Sequence, residues 1–289
     1  MPNRYAVMGH PIAHSKSPFI HAQFAQNTGE SVIYEAIWVP LGELEQAISA
    51  FQTAGGRGLN ITLPFKEEAF ALSQVRTRRA EQAQAVNTMW FDDGGRRHGD
   101  NTDGSGLLRD LGQNHGIAVT GKRVLLLGAG GAARGVLGPL LQAQPFHLTC
   151  ANRTGARARE LAARFTGQGP VQGCSLSELA ELEFDLIINA TSASLKGETP
   201  PLPEGILRRG GACYDMAYGD EETAFVRWGR THDAAQSVDG LGMLVEQGAE
   251  SFYRWRGVRP RTAPVIEALR QSLCAAAQGK KQQARGIPI

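Results

Sequence analysis

Short apolar runs alternate with longer helical patterns along the chain, and this alternation predicts repeated strand–helix units. The first series begins at Tyr5, where an apolar run predicts a strand over residues 5–9. A helix is predicted over residues 18–25. The series continues with a predicted strand at 59–63, a helix at 64–72 and a strand at 85–91.

A second series begins near Gly121. Its first strand, Arg123–Leu127, is continuously apolar after the arginine, as expected for a strand buried on both faces. Gln247 lies on the rim of the apolar face of a later helix. The polar, aperiodic end of the chain, residues 276–289, predicts a disordered tail. The remaining predicted elements are strands at 147–151, 184–189 and 212–215 and a helix at 240–255.

The composition favours a folded chain with little net charge. Of 289 residues, 42% are hydrophobic and 20% are charged, which suffices for a buried core. With 30 basic and 28 acidic residues, the chain lacks the basic excess of a nucleic-acid or membrane binder. No segment has the apolar length of a membrane helix, and the first residues lack the apolar core of a signal peptide. These features predict a cytoplasmic protein.

The four cysteines form no metal-binding or disulfide pattern. They stand far apart in the sequence, with neither a Cys-x-x-Cys pair nor a histidine cluster. We therefore expect no metal site, and we interpret the cysteines as buried thiols in a reducing compartment. They are Cys150, Cys174, Cys213 and Cys274.

A Gly-x-Gly-x-x-Ala motif follows the apolar strand at 123–127 directly. In such a motif the glycines allow a tight turn and let the backbone approach a pyrophosphate. The start of the following helix offers free N–H groups to the phosphates. The motif therefore predicts a dinucleotide-binding site. Its residues are Gly128, Ala129, Gly130, Gly131, Ala132 and Ala133.

The next predicted strand leads into Asn152, Arg153 and Thr154, and Arg157 follows. An NAD enzyme usually has a carboxylate here for the ribose hydroxyl, whereas the planar fork of arginine suits a 2′-phosphate. The pattern therefore favours NADP over NAD. The alternative is that both arginines are solvated residues of a loop and a helix start.

Lys66 is the most informative candidate for catalysis. The chain has six lysines against 24 arginines. A lysine in the first turn of a helix also opposes the helix dipole, by about 0.3–1 kcal/mol. Lys66 is therefore either a catalytic lysine or a surface lysine whose charge is balanced by Glu67 and Glu68. Asp103, in a polar cluster at 99–104, supplies a carboxylate that can orient the ammonium, as ketone reduction with a proton donor requires.

Further polar residues are candidates for substrate binding. Ser15 and Ser17 precede Pro18, and hydroxyls at a helix start suit a carboxylate. N-capping explains Ser17 equally well, whereas Ser15 has no such structural reason. Asn87 offers an amide that both donates and accepts hydrogen bonds, or is an ordinary strand residue.

Together these motifs resemble the shikimate dehydrogenase family over almost the whole chain, from Tyr5 to about Leu273. The resemblance implies NADPH-dependent, reversible reduction of 3-dehydroshikimate to shikimate in aromatic amino-acid biosynthesis. The matching stretches, in family order, are 9–18, 60–68, 85–88, 99–106, 128–134, 152–154, 189–192, 214–218 and 239–247.

The resemblance also implies a role for individual residues. Lys66 matches the family's catalytic lysine and Asp103 its partner aspartate. The implied substrate-binding residues are Ser15, Ser17, Thr62, Lys66, Asn87, Asp103, Tyr218 and Gln247, with the serines on the carboxylate. The implied NADP-binding residues are Gly128, Ala129, Gly130, Gly131, Ala132, Asn152, Arg153, Thr154, Arg157, Thr191, Met216 and Gly240.

The implied fold is α/β with two domains and the active site in the cleft between them. Residues 1–103 and 241–275 form an open, mainly parallel α/β substrate-binding domain, and residues 104–240 form a Rossmann domain that binds NADP. The expected partner is a small-molecule substrate, with no nucleic acid and no membrane, and the chain is expected to be a monomer or a homodimer.

Two other functions stay open. One is a quinate/shikimate dehydrogenase with broader substrate and cofactor use. Arg153 is evidence against it, because arginine at this position favours NADP. The other is a catalytically inactive family member that senses a ligand. The presence of both Lys66 and Asp103 is evidence against it. The chain departs from the family pattern at Ser194, where relatives usually have glycine, and at Arg78, a position often acidic.

Overall fold

The computed structural model describes residues 2–285, and the side chains of residues 2–278. The described chain divides into two compact units. Unit 1 comprises the residues up to Asp110, Arg134–Leu140 and Leu244–Thr262. Unit 2 comprises Leu111–Ala133, Leu141–Met243 and the residues from Ala263 onward.

Unit 1 contains a six-stranded mixed sheet with the order β2-β1-β3-β5-β6-β4. β1 pairs in parallel with β2 and β3, and β4 pairs in parallel with β6. β5 runs antiparallel to both of its neighbours, β3 and β6. The sheet is thus mainly parallel, as the sequence predicts. The strands are β1 (Asn3–Gly9), β2 (Val32–Trp38), β3 (Gly56–Ile61), β4 (Val75–Arg76), β5 (Thr88–Phe91) and β6 (Arg97–Asp100).

Five helices begin in unit 1, and apolar side chains of the second helix pack on the sheet. Leu44, Ile48 and Phe51 recur at helical spacing and join a core cluster with Leu59 and Ile61 of β3. The helices are α1 (Ser17–Thr28), α2 (Leu44–Thr53), α3 (Lys66–Leu72), α4 (Arg78–Ala83) and α5 (Asp103–Arg109), which continues into a π-helical turn at Asp110–Asn114.

Unit 2 contains a six-stranded sheet in which every pair is parallel. The order is β12-β11-β10-β7-β8-β9, which is the order of a doubly wound dinucleotide-binding fold. The strands are β7 (Arg123–Leu127), β8 (His147–Asn152), β9 (Val171–Ser175), β10 (Phe184–Asn189), β11 (Leu207–Asp215) and β12 (Gln236–Asp239).

The later helices are α6 (Gly131–Gln142), α7 (Gly155–Ala163), α8 (Ala224–Thr231), α9 (Leu241–Arg256) and α10 (Ala263–Arg285). None of the helices within residues 2–285 combines the length and apolar character needed to cross a bilayer. The α/β fold with two parallel-strand sheets agrees with the fold class that the sequence predicts.

Helix α10 differs from the sequence-based expectation. It reaches Arg285, through most of the segment predicted as a disordered tail, and the rest of that segment, residues 286–289, lies outside the described residues. The successive alanines at 275–277 favour a helix strongly. The sequence-based prediction missed this helix because it relied on apolar periodicity, which the segment lacks. The residues from Ala263 also group with unit 2, whereas the sequence places 241–275 in the substrate-binding domain.

Candidate functional site

A lysine–aspartate ion pair lies in unit 1 at the starts of two helices. Lys66 is the first residue of α3 and Asp103 the first of α5. Lys66 Nζ lies 2.6 Å from Asp103 Oδ2. The two side chains are 22% and 9% exposed, so the pair is shielded yet still reaches solvent. Because the dipole of α3 disfavours a cation at its start, the aspartate supplies the compensating charge.

The hydrophobic core fixes where Lys66 stands. After β3, the Phe65 N–H donates to the Thr62 carbonyl and closes the turn that leads into α3. Phe65 and Ala69 are buried in the core of unit 1. These contacts anchor the first turns of α3, and so the backbone that carries Lys66.

Asn87 connects the ion pair to a network of neutral polar groups. Its Nδ2 donates to Asp103 Oδ1 at 2.8 Å and lies 3.2 Å from Gln247 Oε1. Its Oδ1 accepts from the Thr102 N–H at 2.9 Å. The structure therefore brings four predicted site residues together in unit 1, namely Lys66, Asn87, Asp103 and Gln247.

Sequence reasoning missed the supporting residues of this network. Ser251 Oγ lies 2.7 Å from Thr88 Oγ1 and accepts from Asn60 Nδ2 at 3.0 Å. Asn60, Thr88, Thr102 and Ser251 are all buried. A signal was available, since Ser251 stands on the apolar face of α9, and a buried hydroxyl needs a partner.

A charged cluster holds the turn before Asp103. Asp100 is fully buried at the end of β6 and accepts from Arg79 Nε at 3.1 Å. Arg79 Nη1 also donates to Ser105 Oγ at 2.5 Å. Burial alone raises the pKa of Asp100, but Arg79 and the Thr77 hydroxyl outweigh burial and lower it. Asp100 is therefore ionised, and Arg79, which binds both Asp100 and Ser105, ties α4 to α5.

The start of α1 differs from the capping expectation. Lys16, rather than Ser17, is the N-cap, and it makes no side-chain capping hydrogen bond. Ser17 N–H instead donates to Ser15 Oγ at 3.3 Å. Because Ser17 already lies inside the helix, its hydroxyl is not needed as a cap. The structural role expected for Ser17 thus belongs to Ser15.

Tyr34 links Ser17 to the polar network. Its hydroxyl donates to Asn60 Oδ1 at 2.8 Å, and the Ser17 side chain partly opposes the rise in the pKa of Tyr34. Burial raises the pKa of Tyr34 well above its usual value. The His21 ring stacks on Tyr34 with centroids 4.0 Å apart, and burial lowers the pKa of His21 to about 3. Both rings are therefore neutral near pH 7.

Thr62 is half-buried beside the end of β1. A Cβ at Gly9 would lie 2.5 Å from Thr62 Cγ2, so only glycine allows this approach. The first strand thus leaves room for Thr62 immediately before the turn that carries Lys66.

The glycine-rich turn of unit 2 joins β7 to α6. Gly128 has a φ of +111°, and a Cβ there would lie 3.1 Å from the Ala190 carbonyl oxygen. A Cβ at Gly130 would meet no atom within 4 Å, so the backbone is open there. The free N–H groups at the start of α6 lie at the carboxyl end of β7, as a dinucleotide requires.

Two arginines follow β8, on the turn and in the first part of α7. Asn152 Nδ2 donates to the Thr154 carbonyl at 3.1 Å and orders the turn. Arg153 and Arg157 are exposed, and neither guanidinium forms an ion pair with another described residue. Arg159 of the same helix, by contrast, pairs with Glu178 at 2.6 Å.

A buried amide–carboxylate pair organises two loops of unit 2. Asn189 and Asp215 end the neighbouring strands β10 and β11, and Asn189 Nδ2 donates to Asp215 Oδ1 at 3.0 Å. Asn189 Oδ1 accepts from the Thr191 N–H at 3.1 Å. Asp215 Oδ1 accepts from the Ala217 N–H at 3.1 Å. The pair thereby sets the path of both loops.

Two more candidates lie close to these loops. A Cβ at Gly240 would lie 2.4 Å from the Met216 carbonyl oxygen, so this position requires glycine. Tyr218 is half-buried, and burial raises its pKa. Tyr218 belongs to unit 2, whereas the other predicted substrate residues belong to unit 1. Within residues 2–285, no cluster of three or more His, Cys, Asp or Glu side chains is arranged to hold a metal ion.

A glycine-rich turn on a doubly wound sheet, together with a shielded Lys–Asp pair in a separate α/β unit, defines a dinucleotide-dependent dehydrogenase. Comparison with known proteins narrows this class. Three family models match the chain: the shikimate dehydrogenase substrate binding domain over residues 7–89, shikimate/quinate 5-dehydrogenase over 110–197 and the shikimate 5′-dehydrogenase C-terminal domain over 240–270.

Individual relatives agree. A shikimate dehydrogenase (NADP(+)) of Nitrosococcus oceani is 57% identical over 273 residues, covering 94% of this chain and 97% of the relative. The structure of an Ael1 enzyme from Pseudomonas putida is similar with a TM-score of 0.86 and 46% identity, covering 92% and 98% of the two chains. A shikimate 5-dehydrogenase from Thermus thermophilus, in complex with NADP(H) and shikimate, has a TM-score of 0.83 and 36% identity, covering 93% and 99%. The chain belongs to the shikimate dehydrogenase family.

Proposed function

We propose that this chain catalyses the NADP-dependent, reversible reduction of 3-dehydroshikimate to shikimate. The observation that carries the proposal is the 2.6 Å contact between Lys66 and Asp103, joined to Asn87 and Gln247. The relatives named above support the substrate and the cofactor. The role of each site residue is part of the proposal.

Lys66 and Asp103 perform the proton chemistry. When bound, NADPH supplies the hydride that reaches the carbonyl carbon, and one proton must reach the carbonyl oxygen. The Lys66 ammonium donates that proton, and Asp103 holds the ammonium in place and accepts a hydrogen bond from a substrate hydroxyl. In the oxidation direction, the same pair receives the proton of the alcohol. The proton belongs to the coupled pair rather than to one member.

The remaining candidates of unit 1 orient the substrate. Ser15 and Ser17, at the start of α1, bind the carboxylate through their hydroxyl groups. Asn87 and Gln247 each carry a donor and an acceptor, and so can bind ring hydroxyls. Thr62 contributes one further hydroxyl. Tyr218, from unit 2, completes the proposed set.

The proposed NADP site is formed by unit 2. The turn at 128–132 binds the pyrophosphate through backbone N–H groups. Asn152, Thr154 and the exposed guanidinium groups of Arg153 and Arg157 receive the 2′-phosphate end. Thr191, Met216 and Gly240 line the nicotinamide end. We accordingly propose that unit 1 corresponds to the substrate-binding domain and unit 2 to the NADP-binding domain.

The proposal also includes the cellular compartment and the oligomeric state. All four cysteines are free thiols, and three of them are buried, which suits a reducing compartment such as the cytoplasm. We further propose a monomer or a homodimer, which size-exclusion chromatography with light scattering distinguishes.

The direct test is the initial rate of cofactor reduction with shikimate or quinate, each combined with NADP+ or NAD+. Activity confined to shikimate with NADP+ supports the proposal. Comparable rates with quinate or NAD+ identify a dehydrogenase with broader use instead. Folded protein that is inactive in all four combinations refutes the catalytic assignment and favours a ligand-sensing protein.

A further inference from the structure

Ser194 is a polar residue that the proposed reaction leaves without a role. It begins the 3₁₀ turn Ser194–Lys196, in the loop after β10 that also contains Thr191. The neighbouring loop follows β11 and contains Met216. In the proposed function both loops contact the nicotinamide end of NADP. Any contact that joins them therefore bears on cofactor binding.

The Ser194 hydroxyl is hydrogen-bonded to the buried Asn189–Asp215 pair through Asn189. Asn189 Nδ2 donates to Ser194 Oγ at 3.2 Å. The same Asn189 Nδ2 donates to Asp215 Oδ1 at 3.0 Å, and the Ser194 side chain also opposes the rise in the pKa of Asp215. Ser194 thus connects its own loop to the amide that holds the carboxylate at the end of the adjacent strand.

The carboxylate of Asp215 depends on these donors. It is fully buried, and its partners are Asn189, the Ala217 N–H and the Thr223 hydroxyl, which donates to Oδ2 at 2.7 Å. Burial raises the pKa of Asp215, while each donor opposes that rise. Because a buried carboxylate is costly when it lacks a donor, loss of one contact shifts the loops that supply the rest.

We infer that Ser194 is a positioning residue for NADP, fastening the loop that contains Thr191 to the loop that contains Met216. The inference rests on the proposed function. With the Ser194 hydroxyl in place, both loops are ordered before NADP arrives. Without it, binding must order them, and affinity falls. Chemistry in the loaded enzyme is unaffected, since Ser194 belongs to unit 2 and takes no part in the proposed proton transfer.

The test compares Ser194→Ala with the wild type in NADP+ binding and in steady-state kinetics. We expect the Kd and KM for NADP+ to rise about three- to tenfold, the effect of one lost hydrogen bond. The kcat at saturating NADP+ and the KM for shikimate stay within about twofold. Ser194→Thr keeps the hydroxyl and recovers most of the affinity for NADP+.

Ser177→Ala is the matched control. Its hydroxyl is also in unit 2 but lies at the surface, 2.9 Å from Ser175 Oγ, far along the chain from both loops. This variant binds NADP+ like the wild type. An unchanged Kd in Ser194→Ala, a fall confined to kcat, or no recovery in Ser194→Thr overturns the inference. A wild type that binds NADP+ without oxidising shikimate instead refutes the proposed function.

Discussion

At the scale of the residue, Lys66 is the side chain on which we expect turnover to depend most. Lys66→Met keeps the stem of the side chain and removes the proton donor. We expect kcat to fall about 10²–10⁴-fold, the usual contribution of general acid catalysis. The Kd for shikimate changes little, because Asn87, Gln247 and the serines remain. Stopped-flow and equilibrium binding measure the two quantities separately.

Lys122→Met is the control for this prediction, since Lys122 is exposed and lies in unit 2. It keeps wild-type kinetics. If Lys66→Met retained near-normal kcat, Lys66 would have no part in the proton transfer.

We expect Arg153 to determine the choice between the two cofactors. Arg153→Ala removes a guanidinium that forms no ion pair with any side chain within residues 2–278, so none of the described ion pairs is lost. We expect the KM for NADP+ to rise about tenfold or more and that for NAD+ to change less than twofold, because only NADP+ carries the 2′-phosphate. Arg164→Ala, at the other end of α7, leaves both values unchanged. Equal losses for both cofactors would contradict the assignment.

The chemical roles of single residues were easier to predict from the sequence than the contacts that those residues make in the fold. Lys66 and Asp103 stand out in the sequence through rarity, position and resemblance. Ser251 and Tyr34 do not, because their importance depends on contacts with Asn60. The interpretation of Ser17 as the N-cap was wrong, because the N-cap is Lys16, one position earlier. Only the path of the backbone shows where the first helical turn begins.

At the scale of the element, the ion pair of Arg79 with the buried Asp100 holds the short helix α4, and Arg79 also binds Ser105 of α5. Arg79→Met leaves this carboxylate without its main partner and is expected to lower the free energy of unfolding by about 2–4 kcal/mol. The double variant Arg79→Met/Asp100→Asn removes the orphaned charge and recovers part of the loss. Denaturant titration of the four proteins of the cycle measures this coupling.

Arg76→Met is a suitable control, because Arg76 pairs at 3.5 Å with an exposed glutamate. It changes stability by less than about 1 kcal/mol, as surface pairs do. Additive effects of the Arg79 and Asp100 substitutions would show that the two charges do not support each other.

Helix α1 contributes a pH dependence through His21. The pKa of His21 is lowered to about 3 in the folded protein, against 6.5 as the reference value. The unfolded chain therefore binds the proton first, and stability is lost as pH falls from about 6.5 towards 3, by at most about 1.4 kcal/mol per pH unit. His21→Phe removes this group, so the slope of the unfolding free energy against pH decreases by the contribution of one proton, at most about 1.4 kcal/mol per pH unit.

Denaturant titrations between pH 4.5 and 7.5 measure that slope. Replacement of the exposed His14 by glutamine leaves it unchanged. A wild-type slope in His21→Phe would show that His21 is not the group that resists protonation.

At the scale of the whole molecule, each ligand is expected to protect a different unit from hydrogen exchange. NADP+ alone slows exchange of amides at 128–133 and 190–194, because ligand contacts suppress local opening. Shikimate alone slows exchange at 61–66 and 101–103. Mass spectrometry of peptic peptides reads both. Protection of unit 1 by NADP+ alone would contradict the assignment of the two units.

The α/β fold class and its two series of strands and helices could be predicted from the alternation of strand and helix patterns, but the order of the strands in each sheet could not. Unit 2 was predictable because continuous apolar strands and a glycine motif describe a parallel sheet. In unit 1, Lys66, Asn87 and Asp103 meet because β5 inserts antiparallel between β3 and β6. No local pattern specifies that insertion, since register between distant strands is a property of the assembled sheet.

The division of unit 1 along the chain has a consequence for its synthesis. All six of its strands precede residue 101, yet Ser251, which satisfies Asn60 and Thr88, and Trp255, whose ring stacks on Tyr5 with centroids 4.6 Å apart, come later. At about 5–20 residues per second, a ribosome needs roughly 8–30 s to pass from Asp110 to Thr262. Throughout that interval Asn60, Thr88 and Tyr5 of the nascent unit 1 lack these partners, so we expect the unit to fold completely only after residue 262 has been synthesised.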